Sequence, residues 1–136
     1  MTEKELVEKY LGIPYKHNGR DLLGLDCWGF IICAFREREI TILDLCAYDN
    51  RGCVTGGNEA FESYYKYFEE HGAPAFFDIL LFKNKDDNIF HAALYLSKNR
   101  FIHAKNKTGI VIDRSDKKVW QERLVGIYRH KEIKCL

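Results

Sequence analysis

No stretch of this chain is apolar for long enough to cross a membrane, and it opens Met-Thr-Glu-Lys-Glu-Leu, charged where a secretory leader would not be. The expectation is a protein that is cytoplasmic as synthesised, with no membrane partner. Charge of one sign is lacking too. Basic and acidic residues number 21 and 20, so the net charge of +1 sets up no global field for nucleic acid or an anionic surface. No two cysteines stand in C-x-x-C. Cys27, Cys33, Cys46 and Cys53 are separated by five, twelve and six residues, which follows no metal-ligand spacing. With Cys135 the cysteines number five, an odd set that suits a reducing compartment. Internal repeats, linkers and low-complexity segments are also missing, so a single domain over 1–136 is expected.

What the chain does have is core material. Of its 136 residues, 46% are hydrophobic and 14% aromatic, and a domain of this size buries roughly two-thirds of its unfolded surface. Thr2 to Leu11 reads as a short amphipathic helix, with Thr2 as cap, Glu5 three residues on, and Leu6, Val7, Tyr10 and Leu11 on one face. Gly12 and Pro14 end it. A turn-rich loop leads to a helix from Cys27 to about Arg38, capped by Asp26, whose apolar face carries Phe30, Ile31, Ala34 and Phe35. Ile40 to Leu43 reads as a brief strand. A further helix is expected from Gly57 or Asn58 to about His71, with an aromatic stripe at Phe61, Tyr64, Tyr65 and Phe68 and His71 against its dipole. Beyond Gly72 and Pro74 the pattern changes to short apolar runs: Asp78–Phe82, Ile89–Leu96, Arg100–Ala104, Gly109–Asp113 and Leu124–Arg129. Helices first and strands after argue for α+β, the helices packed on one face of an antiparallel sheet.

Cys27 stands where loop becomes helix. Unpaired amides and the positive end of the helix dipole favour an anion there, and thiols so placed lose their proton more readily. Taken alone, Cys27 reads equally as a buried structural cysteine. His91 and His103 flank Ser97-Lys98-Asn99, which has the composition of a hairpin turn. Pairing about a centre near 97 or 98 sets the two imidazoles opposite or nearly so on one sheet face. A thiolate nucleophile needs a base in hydrogen-bond reach and a third polar group that orients the base. Cys27, His91 and His103 together meet that requirement. The same three side chains would also suit a zinc ion with an open position, but zinc would quench the nucleophile, so neither metal nor cofactor is expected. Cys33, well round the helix from Cys27, is expected to pack inward.

Pro14-Tyr15, Gly19 and Leu25-Asp26-Cys27-Trp28-Gly29-Phe30 resemble the nucleophile segment of the NlpC-type, papain-like peptidoglycan endopeptidases. Asp78-Ile79-Leu80-Leu81-Phe82, then His91-Ala92-Ala93-Leu94-Tyr95-Leu96 with Phe101-Ile102-His103-Ala104, are similar to that family's other two motifs, in the family's order. The resemblance implies a papain-like fold with N-terminal helices on a five- to six-stranded antiparallel sheet. It implies a cysteine peptidase for murein peptides, commonly at the D-γ-glutamyl–diamino-acid amide. Cys27 would be the nucleophile, His91 the general base and then acid, and His103 the orienting third member. Tyr15 matches the family's tyrosine beside the nucleophile, near oxyanion or substrate. Asp26 matches an acid that holds a substrate amino terminus in some members, and reads equally as a plain N-cap.

Two departures from the family pattern stand out. Trp28 replaces the usual Ser after the nucleophile, as in the phage-tail branch where Asp-Cys-Trp-Gly recurs, and either walls the substrate groove or fills core. His17-Asn18-Gly19 replaces the usual paired glycine, and His17 is expected on the loop surface. The resemblance leaves other functions in play. One is a phage or prophage tail structural or assembly protein that keeps the fold, with tail proteins as partners and the virion or cell wall as its place. Another is a papain-like hydrolase or acyltransferase for a different amide or ester.

Overall fold

Helix α1 (Glu3–Tyr10) starts where its two orphan amides find side chains: Thr2 accepts from the Glu5 amide and Glu5 accepts from the Thr2 amide. Leu6 and Tyr10, one turn apart, are its buried face. This architecture is that of a computed structural model, which describes residues 1–44, 67–83 and 90–133. Between α1 and the next helix the loop folds into a two-strand ladder, β1 (Arg20–Asp21) against β2 (Gly24–Leu25). Helix α2 (Cys27–Arg36) follows, buried at every residue from Cys27 to Phe35. A helix apolar on all sides belongs at the centre of a fold.

The remaining described strands form a six-stranded antiparallel sheet: β3 (Phe68–Glu70), β4 (Ile79–Lys83), β5 (Phe90–Tyr95), β6 (Arg100–Lys105), β7 (Gly109–Arg114) and β8 (Leu124–His130), in the order β3-β8-β4-β5-β6-β7. The α+β expectation holds. Strand alternation divides the sheet's side chains between two faces. Ile79, Leu81, Phe90, Ala92, Leu94, Ile102 and Ala104 share one core with α2, and α2 packs directly on β5 and β6. Leu80, Phe82, Ala93, Tyr95, Phe101 and Ile127 make a second, smaller core on the other side. It is covered by Trp120 of the short helix α3 (Lys118–Arg123).

Two expectations are corrected. Ile40 to Leu43 alternates buried and exposed as a strand would, but is not a strand; among the described residues no ladder pairs it, and Leu43 accepts a hydrogen bond from the Trp28 indole at 2.9 Å instead. His71 does not end a helix. Phe68–Glu70 pairs with Tyr128–His130 as β3, and the His71 amide donates to the Ile127 carbonyl, so sheet pairing overrides the local aromatic spacing. The body of that expected helix, 57–66, lies outside the described residues, as do Cys46, Cys53 and Cys135. The hairpin between β5 and β6 centres on residue 98, within the expected range. Lys98 and Asn99 both take positive φ, Leu96 N–H meets the Arg100 carbonyl, and Leu94 pairs with Ile102. His103 therefore falls opposite Ala93, and His91 lies one diagonal step away on the same face.

Candidate active site

Asp26 builds the start of α2. Wholly buried, it accepts from the Gly29 amide at 2.7 Å as N-cap, from the Asn18 amide at 2.8 Å and from Arg20 Nη1 at 2.9 Å. Desolvation raises its carboxyl above the ordinary value, against the pull of these three donors. Arg20 in turn binds Asp44 through Nε and Nη2 at 3.0 and 2.8 Å. Gly29 has no room for a side chain, because a Cβ there would sit 2.0 Å from the Gly19 carbonyl oxygen. The turn at Gly19 is thus clamped onto the first turn of the helix, and this packing explains why the Asp-Cys-Trp-Gly segment needs its glycine.

Cys27 is the first residue of α2, with its side chain on the α2 side of the sheet, and neither it nor Cys33 is in a disulfide. As the first helical residue its amide lies outside the helical hydrogen-bond ladder, at the positive end of the dipole. Cys33 packs inward as expected; it is buried, its thiol is pushed up by desolvation, and Sγ lies 3.6 Å from the Arg20 carbonyl. Trp28 is wholly buried beneath the helix start. Tyr15 is partly buried against the same core, its backbone bridged to Leu25 two residues before the cysteine. His17 is exposed, as the loop reading requires.

The histidines, one on β5 and one on β6, meet beside Phe101 and Trp120. Nε2 of half-buried His91 lies 2.7 Å from Nδ1 of buried His103, and His103 Nε2 lies 2.8 Å from Asp113 Oδ2. Trp120 and His103 are nearly perpendicular with ring centroids 5.4 Å apart, and Phe101 lies 4.9 Å from the same imidazole. Desolvation holds His91 well below the usual imidazole value, helped by neighbouring His103 and Arg123. For His103 desolvation also wins, although the Asp113 carboxylate pulls upward. Both rings are consequently neutral near pH 7, the state in which an imidazole accepts a proton.

Sequence reasoning missed Asp113 and Trp120. The β6–β7 register pairs Phe101 with Asp113 and His103 with Val111, which sets Asp113 one diagonal step from His103. The Gly109-containing turn was the available signal, but only that exact register turns it into a contact. β5 and β6 pair at Leu94–Ile102 and Tyr95–Phe101, towards the hairpin, and His91 sits at the other end of β5. Among the described residues no group of three or more His, Cys, Asp or Glu is arranged to hold a metal ion, and no helix is long and apolar enough to cross a membrane.

The sequence profile of the NlpC/P60 family matches residues 12–129. The chain is similar to the murein DD-endopeptidase/murein LD-carboxypeptidase MepS of Escherichia coli (strain K12), at 26% identity over 112 residues that cover 82% of this chain and 53% of that protein. It is also similar to the probable peptidoglycan endopeptidase LytE of Bacillus subtilis (strain 168), at 24% identity over 119 residues, 88% of this chain and 31% of that protein. The chain therefore spans about a third to about half of the length of these curated relatives. Among solved structures, an NlpC/P60 family protein from Bacillus cereus ATCC 10987 superposes with a TM-score of 0.68 at 19% identity, covering 96% of this chain and 40% of that one. At that identity the likeness is one of fold.

Proposed function

The chain belongs to the NlpC/P60 family, and from that membership we propose that it is a cysteine peptidase hydrolysing amide bonds in murein peptides, at the D-γ-glutamyl–diamino-acid linkage. One observation carries the reading: His91 is hydrogen-bonded to His103, and His103 to Asp113, on the strands against which the Cys27 helix packs. A base oriented by a second polar group is what a thiol nucleophile requires. In this proposal the Cys27 proton passes to His91 Nδ1, since Nε2 is engaged by His103. The thiolate attacks the scissile carbonyl, and the Cys27 amide and Tyr15 hydroxyl stabilise the oxyanion. His91 then protonates the leaving amine, and water releases the acyl group. No cofactor takes part.

Asp26 and Trp28, both wholly buried, serve the substrate through the helix start they hold. The test is turnover of purified murein peptides by wild type and Cys27→Ala, with products identified by mass spectrometry. A defined fragment from wild type alone supports the proposal and names the bond. Intact peptides with both proteins, while Cys27 still alkylates rapidly, would refute the substrate; a slow Cys27 would refute the enzyme.

A further inference from the structure

We propose that Asp113 is a positioning residue that fixes the tautomers of both histidines, leaving Nδ1 of His91 as the bare, proton-accepting nitrogen. The catalytic meaning of this assignment rests on the function proposed above; the tautomers themselves do not. An ionised carboxylate only accepts hydrogen bonds. His103 Nε2, 2.8 Å from Asp113 Oδ2, must therefore carry its proton. A neutral imidazole has one N–H, so His103 Nδ1 is an acceptor, and the contact of 2.7 Å to His91 Nε2 is a donation from His91. That uses the single N–H of His91. Its Nδ1 is left with a lone pair, and the thiol proton has one place to go.

Without the carboxylate the chain of hydrogen bonds can run in either direction. Reversed, His103 donates from Nδ1 to His91 Nε2, and the His91 proton sits on Nδ1, where it blocks the base. The two directions make the same number of hydrogen bonds between the rings, so only the terminal acceptor tells them apart. The groups that act electrostatically on the pair are Arg123 on α3 and Lys105 on β6, both opposing protonation, and Asp113 on β7, which favours it. Asp113 is thus the charge that stabilises the imidazolium formed when Cys27 gives up its proton. Phe101 and Trp120 flank His103, which is itself 1% exposed.

The experiment is a long-range 15N–1H correlation spectrum of the imidazoles in the full chain at pH 7.5, for wild type and for Asp113→Ala, Asp113→Leu and Asp113→Glu. Wild type is expected to show both His91 and His103 protonated at Nε2; an Nδ1–H signal from either ring overturns the proposal, whatever the variants do. In Asp113→Ala, or in Asp113→Leu should the smaller residue not melt cooperatively, a second His91 tautomer is expected. Iodoacetamide alkylation of Cys27 should slow by roughly 10- to 100-fold, part of what a positioned base contributes. The acid limb of the alkylation profile should move to lower pH, because the pair loses the charge that favours its protonation, and Asp113→Glu should restore both readouts in part. Unchanged tautomers and alkylation in a folded Asp113→Ala would overturn the proposal. Intact murein peptides beside the expected tautomers would refute the proposed function and leave this assignment standing.

Discussion

Replacing Asp26 with alanine strips the start of α2 of three hydrogen bonds at once. The Gly29 amide loses its cap, worth about 1 kcal/mol, and the Asn18 amide loses its acceptor. Arg20 keeps Asp44 but loses its buried partner. A buried donor deprived of its acceptor costs about 1–3 kcal/mol, and removing one member of a buried ion pair costs about 3–5 kcal/mol in all. These contributions overlap, so we expect Asp26→Ala to lower stability by about 3–5 kcal/mol, a fall in Tm of about 10–20 °C for a chain of this size. Asp26→Asn is the control. Asparagine keeps the volume and one oxygen for the Gly29 cap, but its NH2 replaces Oδ2 against the Asn18 amide, so the charge facing Arg20 and one hydrogen bond are lost, for about 2 kcal/mol. Urea and thermal melts read both variants. Asp26→Ala within 1 kcal/mol of wild type, or Asp26→Asn as damaging as Asp26→Ala, would refute the reasoning. Kinetics separate the two readings of this acid. If Asp26 acts through the helix start, Asp26→Asn leaves KM unchanged; a large rise in KM would show a carboxylate that holds the substrate directly.

Two further outcomes follow from buried charge elsewhere. His91, His103 and His130 are each held below the ordinary imidazole value of 6.5 by desolvation. Below about pH 6.5 the unfolded chain therefore takes up protons that the folded chain refuses. Tm should stay level above that pH and fall as pH drops through it, and a profile flat down to pH 5 would contradict the burial of these rings. Asp78, wholly buried, accepts from Arg129 at 2.7 and 2.8 Å and from the Ala75 amide at 2.8 Å. Asp78→Ala should cost about 3–5 kcal/mol, read by urea melt, and a loss below 1 kcal/mol would show that the pair is not what holds the β4 edge to β8.

Much of this molecule is written locally in its sequence. Thr2 and Glu5 announce α1, Asp26 and the apolar run after it announce α2, and the punctuation after Gly72 separates the strands of the sheet. The histidine pair was legible because a hairpin turn and a period of two suffice to put His91 and His103 on one face. The exact register was not, since it depends on Lys98 and Asn99 both adopting positive φ, which moves the centre of the hairpin to 98. Elements held by tertiary contact alone left no pattern. β1 and β2 are two residues each, β3 exists by pairing with β8, and α3 is six residues with no side-chain cap and no fully buried residue. Asp113 and Trp120 were invisible for that reason: one depends on the β6–β7 register and the other on α3.

In the proposed reaction Cys27 and His91 work as one unit. The most direct measurement is the rate of Cys27 alkylation by iodoacetamide in wild type and His91→Ala, resolved by peptide mass spectrometry from Cys33, whose thiol desolvation pushes up. The account predicts a Cys27 in wild type that reacts well above an ordinary thiol near neutral pH, and a drop of at least about tenfold in a folded His91→Ala. Equal rates in the two proteins would contradict it.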